Sequence, residues 1–148
     1  MPLRPSAALA LAAILPTIAA ADPQLDRLER LAELAGTKIA PVIEARNPEL
    51  RGRLPDTEWD DDLRDAGACI LAAYRREIGQ DGVESVLADA ETALAVPIGS
   101  ERDIRRLERL KPAGVEDAAA LAILGRCGFL QIALRRLGES GVPAAVRP

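Results

Sequence analysis

The segment from Asp56 to Gly79, DTEWDDDLRDAGACILAAYRREIG, constrains the fold more than any other part of the chain. Its apolar residues recur at steps of three and four, which places them on one side of a helix with 3.6 residues per turn. They are Trp59, Leu63, Ala66, Ile70, Ala73 and Tyr74. Asp56 or Thr57 is the expected N-cap and Gly79 the expected end. The pattern predicts a long amphipathic helix at the centre of the fold.

Four further segments have helical periodicity and are separated by Pro and Gly. We predict helices over Pro23 to Gly36, Val83 to Ala95, Ser100 to Leu110 and Glu116 to Leu137. The third of these is short, and the last is long and continuous. Between Gly36 and Pro55, repeated Pro and Gly predict an irregular connection with one or two helical turns.

The rarity of aromatic residues decides the fold class. Only 2% of the chain is aromatic, so the core must consist of Leu, Ile, Val and Ala. Strands are enriched in aromatic and β-branched residues, and no long run alternates with period two. We therefore predict an all-α, single-domain helical bundle of about four main helices plus one short amphipathic helix.

The first 21 residues have the pattern of a secretory signal peptide. Arg4 precedes an Ala/Leu/Ile run at 7–15, which is followed by Pro16 and three alanines at 19–21. The run is much shorter than the roughly 20 residues that span a bilayer, so we expect cleavage after Ala20 or Ala21 and no remaining transmembrane anchor. The predicted organisation is a signal peptide at 1–21, one helical domain at 22–137 and a flexible tail at 138–148. An Arg- and Ala-rich composition favours a bacterial source, hence a periplasmic or secreted protein.

The two cysteines predict a disulfide. Cys69 lies in the central helix and Cys127 in the apolar stripe of the last helix. In an oxidising compartment an even count with no competing thiol favours pairing, and small residues beside each cysteine suit a close approach of two helices. Free buried thiols, or redox or metal chemistry, are the alternatives, although redox sites commonly use a C-x-x-C spacing that is lacking here.

The short helix carries the densest positive charge in the chain. Ser100 and Asp103 resemble a capping box at its start. Arg102, Arg105, Arg106 and Arg109 then follow at i, i+3, i+4 and i+7 and form one basic side, here called the Arg face. It is either a dock for an anionic partner, such as lipid headgroups or an acidic protein surface, or a solvated face partly neutralised by Glu101 and Asp103.

Several classes of function are disfavoured. The chain has no His, which excludes Ser-His-Asp and Cys-His nucleophiles and His-based zinc sites. Its net charge of −4 argues against nucleic acid as a partner. The acidic cluster at 58–62 does not match the spacing of an EF-hand and is explained by the helix dipole. We expect no metal and no cofactor.

The remaining expectation is a non-enzymatic protein that binds or modulates an unknown protein or envelope partner. The alternative is a carboxylate-dependent hydrolase that acts on the cell wall through Glu58 or Glu77. Sugar sites usually offer aromatic platforms, and Trp59, Tyr74 and Phe129 are the only candidates; core packing explains them as well.

Overall fold

The structure is a computed structural model that describes residues 22–108 and 112–142. It contains α1 (Pro23–Arg46), α2 (Asp61–Ala95), α3 (Glu101–Glu108), α4 (Asp117–Arg126) and α5 (Phe129–Glu139), with a 3₁₀ turn at Pro48–Leu50. These residues include no strand, which confirms the predicted all-α bundle. The predicted signal peptide, Arg109 and the last six residues of the predicted tail lie outside the described residues.

The long helix α2 consists of two arms that meet at Gly79. Gly79 has φ 75° and ψ 172°, which is not helical and which a residue with a Cβ adopts poorly. In the first arm, residues 61–78, Arg64 pairs with Asp26 and Arg75 pairs with Asp22, each at 2.8 Å. Higher numbers in α2 therefore meet lower numbers in α1, so the first arm runs antiparallel to α1. The predicted helix end at Gly79 is confirmed.

The second arm, residues 80–95, runs in the opposite sense. Arg27 of α1 pairs with Glu84 and also with Glu91, and the Lys38 ammonium donates to the carbonyl of Leu94 at 2.5 Å. Higher numbers now meet higher numbers, so the second arm is parallel to α1. The chain thus folds back at Gly79 alone, so the second arm begins before the predicted start at Val83, and α1 packs against both arms.

The prediction that α1 ends at Gly36 is wrong. The helix continues through Gly36 and Pro41 to Arg46. A Cβ at Gly36 would lie only 2.5 Å from Cγ2 of Thr57, so this glycine allows the segment before α2 to cross α1 closely. The residue is needed for packing and not for a helix stop.

The start of α2 also differs from the prediction. Its N-cap is Asp60, whose carboxylate accepts the Leu63 N–H at 2.9 Å, in place of Asp56 or Thr57. Trp59 therefore precedes the helix and does not belong to its apolar stripe. The indole lies over Gly67, where a Cβ would be 2.6 Å from Cζ3. The extended segment before α2 carries Trp59 back onto the helix surface.

The predicted continuous last helix is two helices. Cys127 ends α4, Gly128 adopts a left-handed conformation with φ 78°, and α5 then departs at 68° to α4. At the far end, α5 passes through Gly138 to Glu139, and Val142 is buried with its N–H donating to the carbonyl of Leu137 at 3.2 Å.

The buried side chains form two clusters. The larger lies between α1 and both arms of α2 and contains Leu31, Leu71, Val83, Leu87 and Leu94. The smaller joins the first arm of α2 to α4 and contains Ile70, Ala73 and Ile123, with Cys127 and Phe129 packed against it. The pair α4–α5 is thus attached to the bundle by a small apolar contact.

Candidate functional site

The capping box predicted for the short helix is present at the start of α3. The Asp103 N–H donates to Oγ of Ser100 at 3.4 Å, and the Ser100 N–H donates to Oδ2 of Asp103 at 3.0 Å. Hydrogen bonds from the Ser100 hydroxyl and from the Gly99 N–H lower the pKa of Asp103. The ionised carboxylate of Asp103 therefore accepts hydrogen bonds from the turn before the helix. These bonds set the first residue of α3 and with it the start of the Arg face.

Two members of the Arg face line an open groove. The groove lies between the last turns of α1 and the first turns of α3 and has a volume of about 680 Å³. We call it the α1–α3 groove, and its lining residues are Val42, Ala45, Arg46, Gly99, Ser100, Glu101, Arg102, Asp103 and Arg105. Arg102 and Arg105 are both exposed. Arg106 is not among the lining residues, and Arg109 lies outside the described residues.

Arg46 is a functional candidate that the sequence did not identify. It occupies the last turn of α1, where a cation suits the helix dipole, so its sequence position gives an ordinary structural explanation. Packing brings it beside α3, where it pairs with Glu101, 55 residues further along the chain. Its presence in the groove follows from tertiary contacts alone.

The charges of the groove are only partly neutralised. Glu101 is shared between Arg46 and Arg105, the latter at 3.0 Å, and all three side chains are about half exposed. Exposed pairs of this kind contribute roughly 0–1 kcal/mol each and exchange readily with solvent. Within the described residues Arg102 has no carboxylate partner. An incoming anion could therefore bind Arg102 and compete with Glu101 for the other two guanidinium groups.

Arg106 has an unusual environment on the same helix. Its Nη1 is 4.0 Å from Asp103, while Nε and Nη2 are buried and have no hydrogen-bond partner. These two atoms form the edge with which Arg27 holds both oxygens of Glu91, at 2.6 and 2.7 Å. Because both atoms are buried, this edge of Arg106 is not accessible to an incoming carboxylate or phosphate in the packed helix.

The predicted cysteine pair is a disulfide. The sulfur atoms of Cys69 and Cys127 are 1.99 Å apart and the Cα atoms 5.6 Å apart, within the usual range. Two of the small residues beside the cysteines are explained by other contacts and not by the predicted close approach of two helices. Gly67 accommodates Trp59, and Gly128 supplies the turn between α4 and α5.

The residues proposed for the hydrolase alternative are not gathered in a site. Glu58 and Glu77 are both exposed, and neither lines the α1–α3 groove. Trp59 and Phe129 meet instead in a shallow apolar groove of about 330 Å³ between α1 and α5. In the described ranges no group of three His, Cys, Asp or Glu side chains is arranged to hold a metal ion.

No single helix within residues 22–108 and 112–142 is long and apolar enough to cross a membrane, although the bent pair α4–α5 reaches the required length and composition when taken together. Comparison of the chain with protein-family models, curated proteins and solved structures gives no match. The functional argument therefore depends on the groove itself.

Proposed function

We propose that the protein is a non-enzymatic binding protein that recognises an acidic surface of an envelope protein through the α1–α3 groove. One observation carries this proposal. Arg46, Arg102 and Arg105 come from two separate helices and line the same open groove, and Arg102 has no carboxylate partner among the described residues. Guanidinium groups bind carboxylates in a planar, directional way, which suits recognition of Asp and Glu side chains.

The shape of the groove favours a protein partner over a small ligand. Its lining combines the apolar side chains of Val42 and Ala45 with the charged side chains of the three arginines, Glu101 and Asp103. An open surface that mixes apolar and charged side chains suits a weak protein interface.

The experiment is capture of partners from the envelope fraction by two variants of equal net charge. The first reverses Arg46, Arg102 and Arg105 to Glu. The matched control reverses three exposed arginines that lie away from the last turns of α1 and from α3, namely Arg30, Arg76 and Arg126. The groove variant should lose about tenfold or more of the captured material and the control should lose little, since a rim charge acts mainly through local complementarity. Equal capture by both variants would refute the proposal.

The same experiment separates a protein from a lipid partner. Vesicles that contain phosphatidylglycerol are added to the wild-type protein and to both variants. Binding to vesicles that the groove variant loses, without any captured protein, would assign the Arg face to lipid headgroups. Circular dichroism of each variant provides the control for helical content.

Export to the periplasm is the second part of the proposal. It is supported by the signal-like pattern of residues 1–21 and by a disulfide, which persists in oxidising compartments. Asp22, the residue after the expected cleavage site, caps α1 through hydrogen bonds from the N–H groups of Gln24 and Leu25. N-terminal sequencing of the periplasmic protein should therefore begin at Ala21 or Asp22. An intact N-terminus in the cytoplasmic fraction would refute export.

A further inference from the structure

The two halves of the disulfide differ in their access to solvent. Cys69 is exposed, although it occupies the middle of the first arm of α2, whereas Cys127 is half-buried. Cys127 also packs against the smaller core cluster, as Phe129 does. A reagent in solution therefore reaches the bond from the side of Cys69.

The neighbours of Cys69 on α2 leave room for such a reagent. Ala72 follows it by one turn and is exposed, and Asp65 precedes it by one turn and is exposed as well. A side chain in a helix covers the turn before its own Cα, so the residue at position 72 decides how far Cys69 is covered. Alanine covers little. Exchange of a disulfide begins when a thiolate attacks one of its two sulfur atoms, and this access favours the sulfur of Cys69.

The bond joins two parts of the fold that have separate cores. The larger core cluster is formed by buried residues of α1 and of both arms of α2. The smaller cluster joins α4 to α2, and Ile123 is the only buried residue of α4 and α5 among the residues that the structure describes. Loss of the bond would therefore weaken the contact of α4 with α2 and leave the packing of α1 on α2 in place.

Two other contacts keep the ends of this region attached. Val115, just before α4, is 6% exposed. On α5, Arg136 pairs with Asp60 at 2.9 Å and donates to the carbonyl of Glu58 at 2.9 Å. The segment between these two anchors contains α4, Cys127 and the turn at Gly128. It is the part of the fold that depends most on the disulfide.

We propose that the Cys69–Cys127 disulfide is a site of thiol–disulfide exchange with a dithiol reductant, and that its reduction loosens α4 from the first arm of α2. Exposed disulfides are the ones that exchange readily, and here the bond is exposed on one side and holds an element with few other buried contacts. The inference rests on the disulfide and is independent of the α1–α3 groove.

The exchange proceeds in two steps. One thiolate of the reductant attacks Sγ of Cys69, the bond between the two cysteines breaks, and Cys127 leaves as a thiolate that takes a proton from water. The second thiolate of the reductant then attacks the reductant sulfur in this mixed disulfide, and Cys69 leaves and is protonated in the same way. The protein gains two electrons and two protons, and the reductant becomes an internal disulfide.

The first test is the rate at which dithiothreitol reduces the native full chain, with free thiols alkylated and counted by mass spectrometry. The rate should rise in proportion to the dithiothreitol concentration and lie within about thirtyfold of the rate for the urea-unfolded chain, because access needs no unfolding. A native rate slower than this would overturn the proposal.

The second test identifies the sulfur that is attacked. Ala72→Leu extends a side chain over Cys69 and should slow reduction of the native protein by about threefold or more, without slowing that of the unfolded chain. Ala88→Leu, at an exposed position on the second arm, is the matched control and should be reduced like the wild type. Glutathione, added together with an alkylating agent that traps the released thiol, should be found mainly on Cys69. Equal rates for both variants, or glutathione mainly on Cys127, would overturn the assignment of Cys69.

The third test is amide hydrogen exchange of the oxidised and the reduced protein. Exchange in α4 should become about tenfold or more faster after reduction, while exchange in α1 changes little. Cys69→Ser/Cys127→Ser lacks the bond without any reductant and should behave like the reduced wild type. Unchanged exchange in α4, or an equal increase in α1, would overturn the proposed loosening. Circular dichroism verifies that every variant is folded.

Discussion

Removal of the disulfide between Cys69 and Cys127 should cost this protein a large part of its stability. The bond closes a chain segment with a sequence separation of 58 residues. The chain-entropy relation for a loop of that size gives about 4 kcal/mol in favour of the folded state, mainly by restricting the unfolded chain. Domains of this size have a total stability of about 5–15 kcal/mol, so this single bond decides between a robust and a marginal fold.

The position of the bond explains why other contacts do not replace it. The smaller core cluster beside it has only three buried members, Ile70, Ala73 and Ile123. On the solvent side, Arg135 pairs with Asp62, and both side chains are at least half exposed. A second contact is made by Arg136, whose side chain is only 18% exposed and which pairs with Asp60 at 2.9 Å and donates to the carbonyl of Glu58 at 2.9 Å. Exposed ion pairs contribute little, so α4–α5 depends mainly on the smaller core cluster, on Arg136 and on the covalent link.

The assay is urea denaturation followed by circular dichroism. The oxidised protein is compared with the reduced wild type and with Cys69→Ala/Cys127→Ala, because reduction keeps the sulfur atoms whereas the double variant also removes their volume. Both should lose about 4 kcal/mol, equivalent to a fall of roughly 10–20 °C in Tm. A loss below about 1 kcal/mol in both would refute the entropic argument. Two reactive thiols in the denatured, unreduced protein would refute the bond itself.

Two further predictions concern the packing of α1 and α2. Gly67→Ala should destabilise the fold by about 1–3 kcal/mol, because the new Cβ would lie 2.6 Å from the Trp59 ring, whereas Gly99→Ala, with no atom within 4 Å, should not. Thermal melts of the two variants compare them directly. Hydrogen bonding to Arg27 lowers the pKa of Glu91, so their pairing stabilises the fold above the ordinary pKa of 4.5 and is lost as the pH falls below it. The stability difference between wild type and Arg27→Met should accordingly shrink between pH 7 and pH 3, and an equal difference at both would contradict this reading.

The candidate site was only partly accessible from the sequence. Helical spacing alone identified Arg102 and Arg105 as neighbours on α3, and both line the α1–α3 groove. The contribution of Arg46 is not predictable from the sequence, because it lies on another helix and its segment, after Gly36, has the Pro and Gly pattern of an irregular connection. The sequence also gives no sign that Nε and Nη2 of Arg106 lack a hydrogen-bond partner, because the burial of single atoms depends on tertiary packing.

The sequence by itself determined part of the local structure. Periodicity located the helices, the Ser100–Asp103 capping box marked the start of α3, and Gly79 marked the reversal of the chain. The cysteine count determined the disulfide, since with two thiols there is one pairing. The helix features depend on interactions between residues close in sequence, and the disulfide depends on there being only one possible pair of cysteines.

Tertiary structure decided where the other glycines act. Gly36 has the sequence pattern of a helix stop, yet it lies inside α1. Its lack of a Cβ leaves room for the side chain of Thr57, which packs against the helix at that point. Gly128, inside a strong apolar periodicity, breaks the last helix at the disulfide. A glycine permits both close packing and a left-handed turn, and the neighbouring element selects between them. That element is distant in sequence, so only the folded chain shows which use is made.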